Sequence, residues 1–558
     1  MVAKKISARV WRVLRRSRLS VGTTAASLAA GVVASFAATI VMLALRQLAG
    51  IVTLPELLAE RILPTLDTGA FVSLLVQFGK IKPLAAELIG QIALGILLAL
   101  TYPGLLNTQP PGPGWRPRRR EWLVAGGVAF ALWLIATALF WPVLAENLKG
   151  YPVDQSRGIT LLGLALIFAV YGGALAMVYR AVLVSPGPML ARHLKRSSSL
   201  SSRNPSEEDA EAAPNPGRRA LLLRSAAVGG GGLAIGGAGM DALVRSLLAR
   251  STLHYDGMAT VPLAGGTVAA ITPIDQFYLV TKNVIDPHIA LGDWALDVGG
   301  LIHSPARYDL ARLQSLPQVT RAITLECISN PVGGNLISTA MWRGVSVEAL
   351  LADRGHALPH GTEMVFTSAD GYQSGQAVAD LIANDAMLAW EMNGEPLPPR
   401  HGYPLRLVLP NYYGEHSSKW LTRIELVSHH VKGFYQRQGW YWGPLHTFSR
   451  IDFPRSGTLV PAGQAVHIAG IAFAGSRGVK RVEISADGGA TWWLASLQPT
   501  LSRDSWALWR WVWTPLTPGK YKLVVRATDG TGDLQTPQTM GTVPSGATGY
   551  HMVPVQVR

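Results

Sequence analysis

Cysteine is almost absent from this chain of 558 residues, which contains a single one, Cys327. One thiol excludes disulfide bonds within the chain, CxxC zinc sites and haem attached through a CxxCH motif. Histidine is absent before His193, so the first third of the chain cannot hold a haem between two histidines. We therefore expect no haem cofactor.

Acidic residues are also scarce, with 35 Asp and Glu against 50 Lys and Arg, which gives a net charge of +15. Such a balance can indicate nucleic-acid binding. Here, however, the basic residues cluster beside apolar runs, a pattern typical of membrane proteins, and we expect no nucleic-acid partner. Hydrophobic residues make up 49% of the chain, and the excess lies before residue 185. The length predicts several domains.

A membrane region with four transmembrane helices is predicted over residues 1–184. A spanning helix needs about 20 mostly apolar residues, and four segments meet this requirement with at most one charged residue each. They run from about Val21 to Leu45, Pro83 to Leu105, Trp122 to Ala145 and Ile159 to Val182.

Three dense basic clusters orient these helices, because Lys and Arg favour the cytoplasmic side. The clusters are Lys4, Lys5, Arg9, Arg12, Arg15, Arg16 and Arg18; Arg116, Arg118, Arg119 and Arg120; and Arg180, Arg192, Lys195 and Arg196. All three fit one topology, with the N-terminus inside and the loops at 46–82 and 146–158 outside.

The segment at 185–217 is rich in Ser, Pro and Glu and is predicted to be a cytoplasmic linker. Two alternatives fit the next segment, 218–247, where Arg218 and Arg219 precede a Gly- and Ala-rich stretch. It resembles a twin-arginine export signal placed internally, or it is a fifth transmembrane helix. Both alternatives place the rest of the chain on the extracytoplasmic side of the cell membrane.

Residues 253–450 mix strand-like and short helical runs, which predicts an α+β domain. The residues from Arg321 to Cys327 read as a strand that ends at the cysteine, and those from Tyr403 to Pro410 read as a short apolar strand. A series of motifs follows in order. It comprises Cys327-Ile328-Ser329-Asn330, Gly333-Gly334, Trp342-Arg343-Gly344-Val345, Met392-Asn393-Gly394-Glu395-Pro396, His401-Gly402-Tyr403-Pro404-Leu405-Arg406 and Tyr413-Gly414-Glu415-His416-Ser417-Ser418-Lys419-Trp420-Leu421.

This series closely resembles the molybdopterin-binding domain of the sulfite oxidase family. The resemblance implies a molybdenum–molybdopterin cofactor, with Cys327 as a catalytic residue and the protein ligand of the metal. A soft thiolate suits such a metal. The resemblance also implies a set of cofactor-binding residues: Asn283, His401, Arg406, Ser417, Ser418 and Lys419. Arg406 is chemically apt, because a guanidinium pairs with phosphate through two hydrogen bonds.

The activity implied by the resemblance is oxygen-atom transfer to or from a small molecule. Sulfite is the first expectation, and a sulfoxide or other S- or N-oxide is the alternative, because few cations surround the expected substrate pocket. Arg437, within Gln436-Arg437, is the candidate anion contact, and Lys282 lies near the place of a substrate-site arginine in the family. A non-catalytic membrane-displayed protein on the same fold is the rival from another class.

Residues 455–558 are predicted to be all-β, with strand-like runs separated by turn signals such as Asp487-Gly488-Gly489. The regular spacing indicates a sandwich, and the tryptophans between Trp506 and Trp513 are expected mostly in its core. The segment resembles the immunoglobulin-like dimerisation domain of the same family, which implies a homodimer. With no haem expected in the chain, a separate electron-transfer protein is implied as partner.

Overall fold

The chain divides into two compact units in the computed structural model, which describes residues 21–62, 81–106, 116–183, 216–250, 268–283, 286–355 and 362–558. The first unit comprises residues 1–59, 78–144 and 157–251, and the second comprises 60–77, 145–156 and 252–558. The basic cluster at 4–18 and nearly all of the predicted linker at 185–217 lie outside the described residues.

The first unit is helical. Its helices are α1 (Val21–Ala49), α2 (Leu54–Ile62, whose last three residues belong to the second unit), α3 (Ile81–Ala99), α4 (Tyr102–Leu106), α5 (Arg119–Phe140), α6 (Val153–Leu183, which begins in the second unit) and α7 (Pro216–Arg250). Among the described residues, five segments are long and apolar enough to cross a membrane: Thr23–Ala49, Leu88–Leu106, Arg119–Val143, Val153–Leu183 and Ala220–Leu243. Four correspond to the predicted spans. The fifth lies on α7, and its helical form is compatible with both alternatives for 218–247.

Small residues let the helices of the first unit approach closely, as is common in membrane bundles. A Cβ atom added at Gly31 of α1 would lie 2.7 Å from the Cβ of Ala99 on α3. Two buried charges of this unit are paired, since Arg180 of α6 lies 3.2 Å from the carboxylate of Glu121 on α5. Pairing is what makes a charge tolerable in an apolar surrounding.

Two sheets form the middle domain of the second unit. Its strands and helices are β1 (Leu296–Gly300), β2 (Ala306–Tyr308), α8 (Leu310–Gln314), β3 (Gln318–Glu326), β4 (Ile337–Ser346), α9 (Val347–Asp353), β5 (Glu363–Ser368), β6 (Gln373–Ala377), α10 (Val378–Ala383), β7 (Met387–Met392), β8 (Glu395–Pro396), β9 (Arg406–Val408) and β10 (Leu421–Val427). One sheet has the order β2-β1-β10-β5-β6 and the other β3-β4-β7-β8, with β9 paired to β7.

The two predicted strands of this domain form, but at different lengths. The strand that leads to Cys327 is β3, which ends one residue before the cysteine. The strand predicted from Tyr403 to Pro410 shortens to β9, because the flanking prolines have no N–H with which to continue a ladder.

The C-terminal domain is all-β, as predicted. Its strands are β11 (Phe448–Phe453), β12 (Leu459–Val460), β13 (Val466–Phe473), β14 (Val479–Ser485), β15 (Trp493–Leu494), β16 (Ser496–Leu497), β17 (Ala507–Trp513), β18 (Gly519–Asp529) and β19 (His551–Val557). They form two sheets, β11-β13-β17-β16 and β12-β19-β18-β14-β15. Apolar side chains from both sheets, including Trp509 and Val525, share one buried core, so the domain is a sandwich.

The sandwich is hydrogen-bonded to the strand that leads to the cysteine. The backbone N–H of Thr324 on β3 donates to the carbonyl of Asp504 at 2.9 Å. In return, the N–H of Trp506 donates to the hydroxyl of Thr324 at 2.8 Å. The metal-ligand candidate therefore follows a strand that two domains hold in place.

Candidate active site

The loop that carries Cys327 is closed by one asparagine side chain. Cys327 donates its N–H to the carbonyl of Leu336 at 2.9 Å. The amide of Asn330 donates to Glu326 Oε1 at 2.9 Å, and its oxygen accepts from the N–H of Leu336 at 2.9 Å. Asn330 therefore bonds to both ends of the loop, which fixes where the thiol points.

The two glycines of the motif are needed for close packing of this loop. Gly333 has φ +75°, and a Cβ atom there would lie 2.4 Å from the ring of His551. A Cβ atom at Gly334 would lie 2.4 Å from the side-chain oxygen of Asn330. Neither position has room for a side chain.

Cys327 is 9% exposed and belongs to an apolar cluster with Phe277, Tyr278 and Trp342. Burial raises the pKa of its thiol to about 12, against the opposing hydrogen bonds of Ser329. The thiol is therefore protonated at neutral pH. A metal that binds it would have to displace this proton, as metal ligation of cysteine generally requires.

Arg406 is a buried cation beside this cluster. Its guanidinium donates to the carbonyls of His401 at 2.9 Å and Ser417 at 3.2 Å, and it lies 4.9 Å from the ring centre of Trp342. Its Nε atom is buried and has no hydrogen-bond partner among the described residues. Burial lowers the pKa of Arg406 to about 10, so the charge persists at neutral pH in an environment that opposes it.

Lys419 is a second cation close to Arg406, and it is half-buried. Its ammonium donates to the carbonyls of Arg400 at 3.1 Å and Val280 at 3.3 Å. Burial lowers the pKa of Lys419 to about 8. The glycine between the two cations, Gly402, has φ +114°, and a Cβ atom there would lie 3.0 Å from the Cβ atoms of both Arg406 and Lys419.

His401 and Asn283 lie near these cations. His401 packs edge-on against Phe277, with ring centres 5.4 Å apart, and burial lowers its pKa to about 3, so it is neutral at physiological pH. Asn283 donates its amide to Asp370 Oδ2 at 2.8 Å. The hydrogen-bonding capacity of Asn283 is thus partly used within the protein.

The serine pair before Lys419 is buried and engaged in contacts within the protein. The hydroxyl of Ser417 accepts from the N–H of Leu409 at 3.1 Å, and the hydroxyls of Ser418 and Ser374 are 2.8 Å apart. In this structure both serines shape the loop that carries Lys419.

These residues fit a molybdenum–pterin cofactor. Among the described residues, neither Arg406 nor Lys419 has a carboxylate within salt-bridge distance, and a buried charge without a counter-ion is costly. A cofactor phosphate would supply the missing anion. The described residues contain no group of three His, Cys, Asp or Glu side chains that could hold a metal, so a metal on Cys327 would take its other ligands from the cofactor.

Arg437 lies on a different segment from the other predicted site residues. It is exposed, and it donates to the carbonyl of Lys432 at 3.3 Å. Burial lowers the pKa of Arg437, while the neighbouring Tyr372 and Glu60 oppose this shift.

Four buried or half-buried groups near Cys327 received no role from the sequence. Burial raises the pKa of Glu326 and of Glu415 to about 8, and both oxygens of Glu415 are buried without a partner among the described residues. Burial and then Cys327 raise the pKa of Tyr278 and of Tyr435. Glu415 stands in a quoted motif and Glu326 in the predicted strand before Cys327, but nothing in the local sequence marks either as buried.

Two sequence profiles match the second unit. The oxidoreductase molybdopterin binding domain matches residues 283–435, and the Mo-co oxidoreductase dimerisation domain matches residues 444–558. Together they cover the segment that carries Arg406 and Lys419 as well as the sandwich.

Both matches support a place for the chain in the sulfite oxidase family of molybdopterin oxidoreductases.

Relatives of this family are similar over about half of the chain. The mitochondrial sulfite oxidase of Rattus norvegicus is 30% identical over 328 residues, which are 50% of this chain and 59% of the relative. The NADH nitrate reductase of Lotus japonicus is 27% identical over 300 residues, 44% of this chain and 33% of the relative. The chain thus spans less than two thirds of the length of either relative. A solved structure, the sulfane dehydrogenase SoxCD of Paracoccus pantotrophus, shares 19% identity over 63% of this chain and 90% of its own, with a TM-score of 0.43.

Proposed function

We propose that this chain is a membrane-anchored molybdenum oxidoreductase that transfers an oxygen atom to or from sulfur. The observation that carries the proposal is the buried thiol of Cys327 together with two cations, the buried Arg406 and the half-buried Lys419, neither of which has a carboxylate within salt-bridge distance among the described residues. When bound, a molybdenum–pterin cofactor supplies two-electron oxygen-atom transfer; the protein supplies ligation, orientation and charge. A non-catalytic scaffold would have no use for buried charges that cost stability.

Sulfite oxidation is the first candidate reaction. Sulfite and water give sulfate, two electrons and two protons. Relatives of the chain are sulfite oxidases, and the exposed guanidinium of Arg437 is available to attract an anion. On this proposal Arg437 contacts the substrate and Cys327 holds the metal.

Reduction of a neutral sulfoxide is the second candidate, in which the sulfoxide takes two electrons and two protons and gives a sulfide and water. The observation that favours it is the pairing of Lys282 with Glu60. A cation that already has a counter-ion attracts an anionic substrate weakly. The binding of a neutral substrate does not depend on this attraction and is therefore not weakened.

We further propose that the catalytic domain lies on the extracytoplasmic side of the cell membrane. Residues 145–156 follow the span that ends near Val143 and belong to the second unit, where Asn147 donates to the carbonyl of Ala369 at 2.9 Å. The basic cluster at 116–120 stands at the other end of the same span, which favours the cytoplasm. The two alternatives for 218–247 both agree with this side.

The sandwich is proposed to be immunoglobulin-like and to join two copies of the chain, in line with its match to a dimerisation domain. A separate electron-transfer protein is proposed as the redox partner. Light scattering of the detergent-solubilised chain tests the dimer, because a monomeric mass for the protein part would refute it.

A substrate screen with redox dyes tests the reaction. Sulfite oxidation is followed by reduction of ferricyanide, and sulfoxide reduction by oxidation of reduced methyl viologen, with molybdenum content measured on the same samples. We expect one of the two reactions in wild-type protein and neither in Cys327→Ser. Protein that purifies with full molybdenum but catalyses neither reaction would refute the proposed oxygen-atom transfer.

A further inference from the structure

Lys282 is a buried cation whose charge is already balanced within the protein. Its ammonium donates to a carboxylate oxygen of Glu60 and, at 2.9 Å, to the carbonyl of Asp370. The side chains of Lys282 and Glu60 are only 9% and 15% exposed. The pair is therefore largely shielded from water, where an ion pair is screened less than at the surface.

The partner comes from a distant part of the chain. Glu60 stands near the end of α2 and is separated from Lys282 by 222 positions. It belongs to the second unit, together with residues 145–156 and the catalytic domain. Such a pairing is a property of the fold, since nothing near Glu60 in the sequence resembles the sulfite oxidase family.

Lys282 follows directly on a segment that packs in the apolar cluster of Cys327. Tyr278, four positions earlier, is in the apolar cluster of Cys327, and Val280 accepts the hydrogen bond of Lys419. Four residues of extended chain span about 13 Å, so Lys282 is within roughly that distance of the cluster. The ammonium also lies 5.5 Å from the ring centre of Phe434. The electrostatic influences of Cys327, Lys282 and Glu60 all reach the next residue, Tyr435, and shift its pKa.

Negative charge predominates around this cation. Burial alone would lower the pKa of Lys282, but Glu60, Asp370 and Glu146 outweigh burial and hold the pKa above its ordinary value. Three carboxylates thus act on one ammonium, and that of Glu60 is in direct contact with it. An anionic substrate that approached Lys282 would have to compete with Glu60 for it.

We propose that Glu60 is a specificity-determining residue, because its carboxylate takes the place at Lys282 that an anionic group of a substrate or product would occupy. Glu60 thereby weakens binding of sulfite and sulfate and leaves binding of a neutral sulfoxide unaffected. The inference rests on the proposed function for the class of substrate. Anion binding at Lys282 itself can be measured without turnover.

Sulfate is the probe, because it is the product anion of sulfite oxidation and binds without reacting. Its affinity is measured by isothermal titration calorimetry on the full chain in detergent, for wild type, Glu60→Gln, Lys282→Met and the double variant. Glu348→Gln is the matched control, since it removes the same charge from an exposed position on α9. Molybdenum content and thermal melting verify that each variant is folded.

We expect sulfate to bind about tenfold more tightly to Glu60→Gln than to wild type, and the gain to vanish in the double variant. The ratio of kcat/KM for sulfite to that for dimethyl sulfoxide should rise by a similar factor. Glu348→Gln should match wild type. An unchanged sulfate affinity in folded Glu60→Gln, or a gain that persists without Lys282, would overturn the inference.

The two proposals fail in different ways. If wild-type protein turned over neither sulfite nor dimethyl sulfoxide while Glu60→Gln still gained sulfate affinity through Lys282, the proposed reaction would be wrong and the competition at Lys282 would stand. If wild-type turnover were normal and Glu60→Gln bound sulfate no more tightly than wild type, the proposed reaction would stand and the competition at Lys282 would be wrong.

Discussion

Replacement of Arg406 by methionine should reduce cofactor retention to less than about a tenth of the wild-type level without unfolding the protein. Burial lowers the pKa of this arginine from 12.5 to about 10, so the folded protein without cofactor opposes the charge at every pH below about 10. At 1.36 kcal/mol for each pH unit, the charged guanidinium destabilises the folded protein by roughly 3 kcal/mol. A methionine of similar length removes this cost.

The same substitution removes two hydrogen bonds and the proposed contact with a cofactor phosphate. The carbonyls of His401 and Ser417 lose their donors, at a cost of roughly 1 to 3 kcal/mol each, which about offsets the gain. Hydrogen bonds to a charged group contribute about 1.5 to 3 kcal/mol each, so loss of a two-bond phosphate contact weakens binding by at least about a hundredfold.

The assay compares the protein with and without cofactor. Molybdenum per chain is measured by plasma mass spectrometry, released pterin by fluorescence, and stability by thermal melting. We expect Arg406→Met to hold less than a tenth of the wild-type molybdenum, and its cofactor-free form to melt within a few degrees of wild type. Arg307→Met, which breaks an exposed ion pair with Asp297 of 2.7 Å, is the control and should change neither quantity much. Full molybdenum and pterin in Arg406→Met would refute the reasoning.

Three further predictions concern the same pocket. Cys327→Ser should keep the pterin, because Arg406 and Lys419 remain, and lose turnover in the ferricyanide assay; normal turnover would rule out Cys327 as the metal ligand. Burial raises the pKa of Glu415 from 4.5 to about 8, so the folded state favours the protonated carboxyl, and the stability that this gives is lost as the pH rises through that interval. Glu415→Gln, melted without cofactor at pH 5 and pH 8, should therefore lose less stability than wild type, and equal losses would contradict the assignment. Arg437→Ala should raise KM for sulfite severalfold with little change for dimethyl sulfoxide, and an unchanged KM would remove Arg437 from the substrate site.

The long apolar helices and the strand that ends beside Cys327 were predictable because each depends on local sequence. A run of about 20 apolar residues specifies a spanning helix wherever it occurs, and the strand pattern from Arg321 leads directly to the cysteine. The cations Arg406 and Lys419 could likewise be assigned from their motifs. The lack of a described carboxylate within salt-bridge distance of either cation could not be predicted, since it depends on which side chains approach from other segments.

The residues that the sequence missed depend on long-range contacts or on burial. Glu415 looks like a solvated carboxylate between a glycine and a histidine, yet the fold encloses both of its oxygens. Glu60 is 222 positions from its partner, and no local pattern connects the end of α2 to Lys282. Ser417 and Ser418 lie in the predicted loop, but their hydroxyls bond to Leu409 and Ser374, which only the folded chain reveals.

The bonds between β3 and the sandwich limit how the chain can be shortened. A fragment that stopped near residue 443 would leave Thr324 without the carbonyl of Asp504, and would also remove the imidazole of His551 that backs Gly333. The turn that presents the sulfur would then be free to relax, although every residue of the cofactor-binding motifs remained. The last 115 residues are thus part of the scaffold of the redox centre, and a dissected oxidoreductase domain should load metal poorly even where it expresses well.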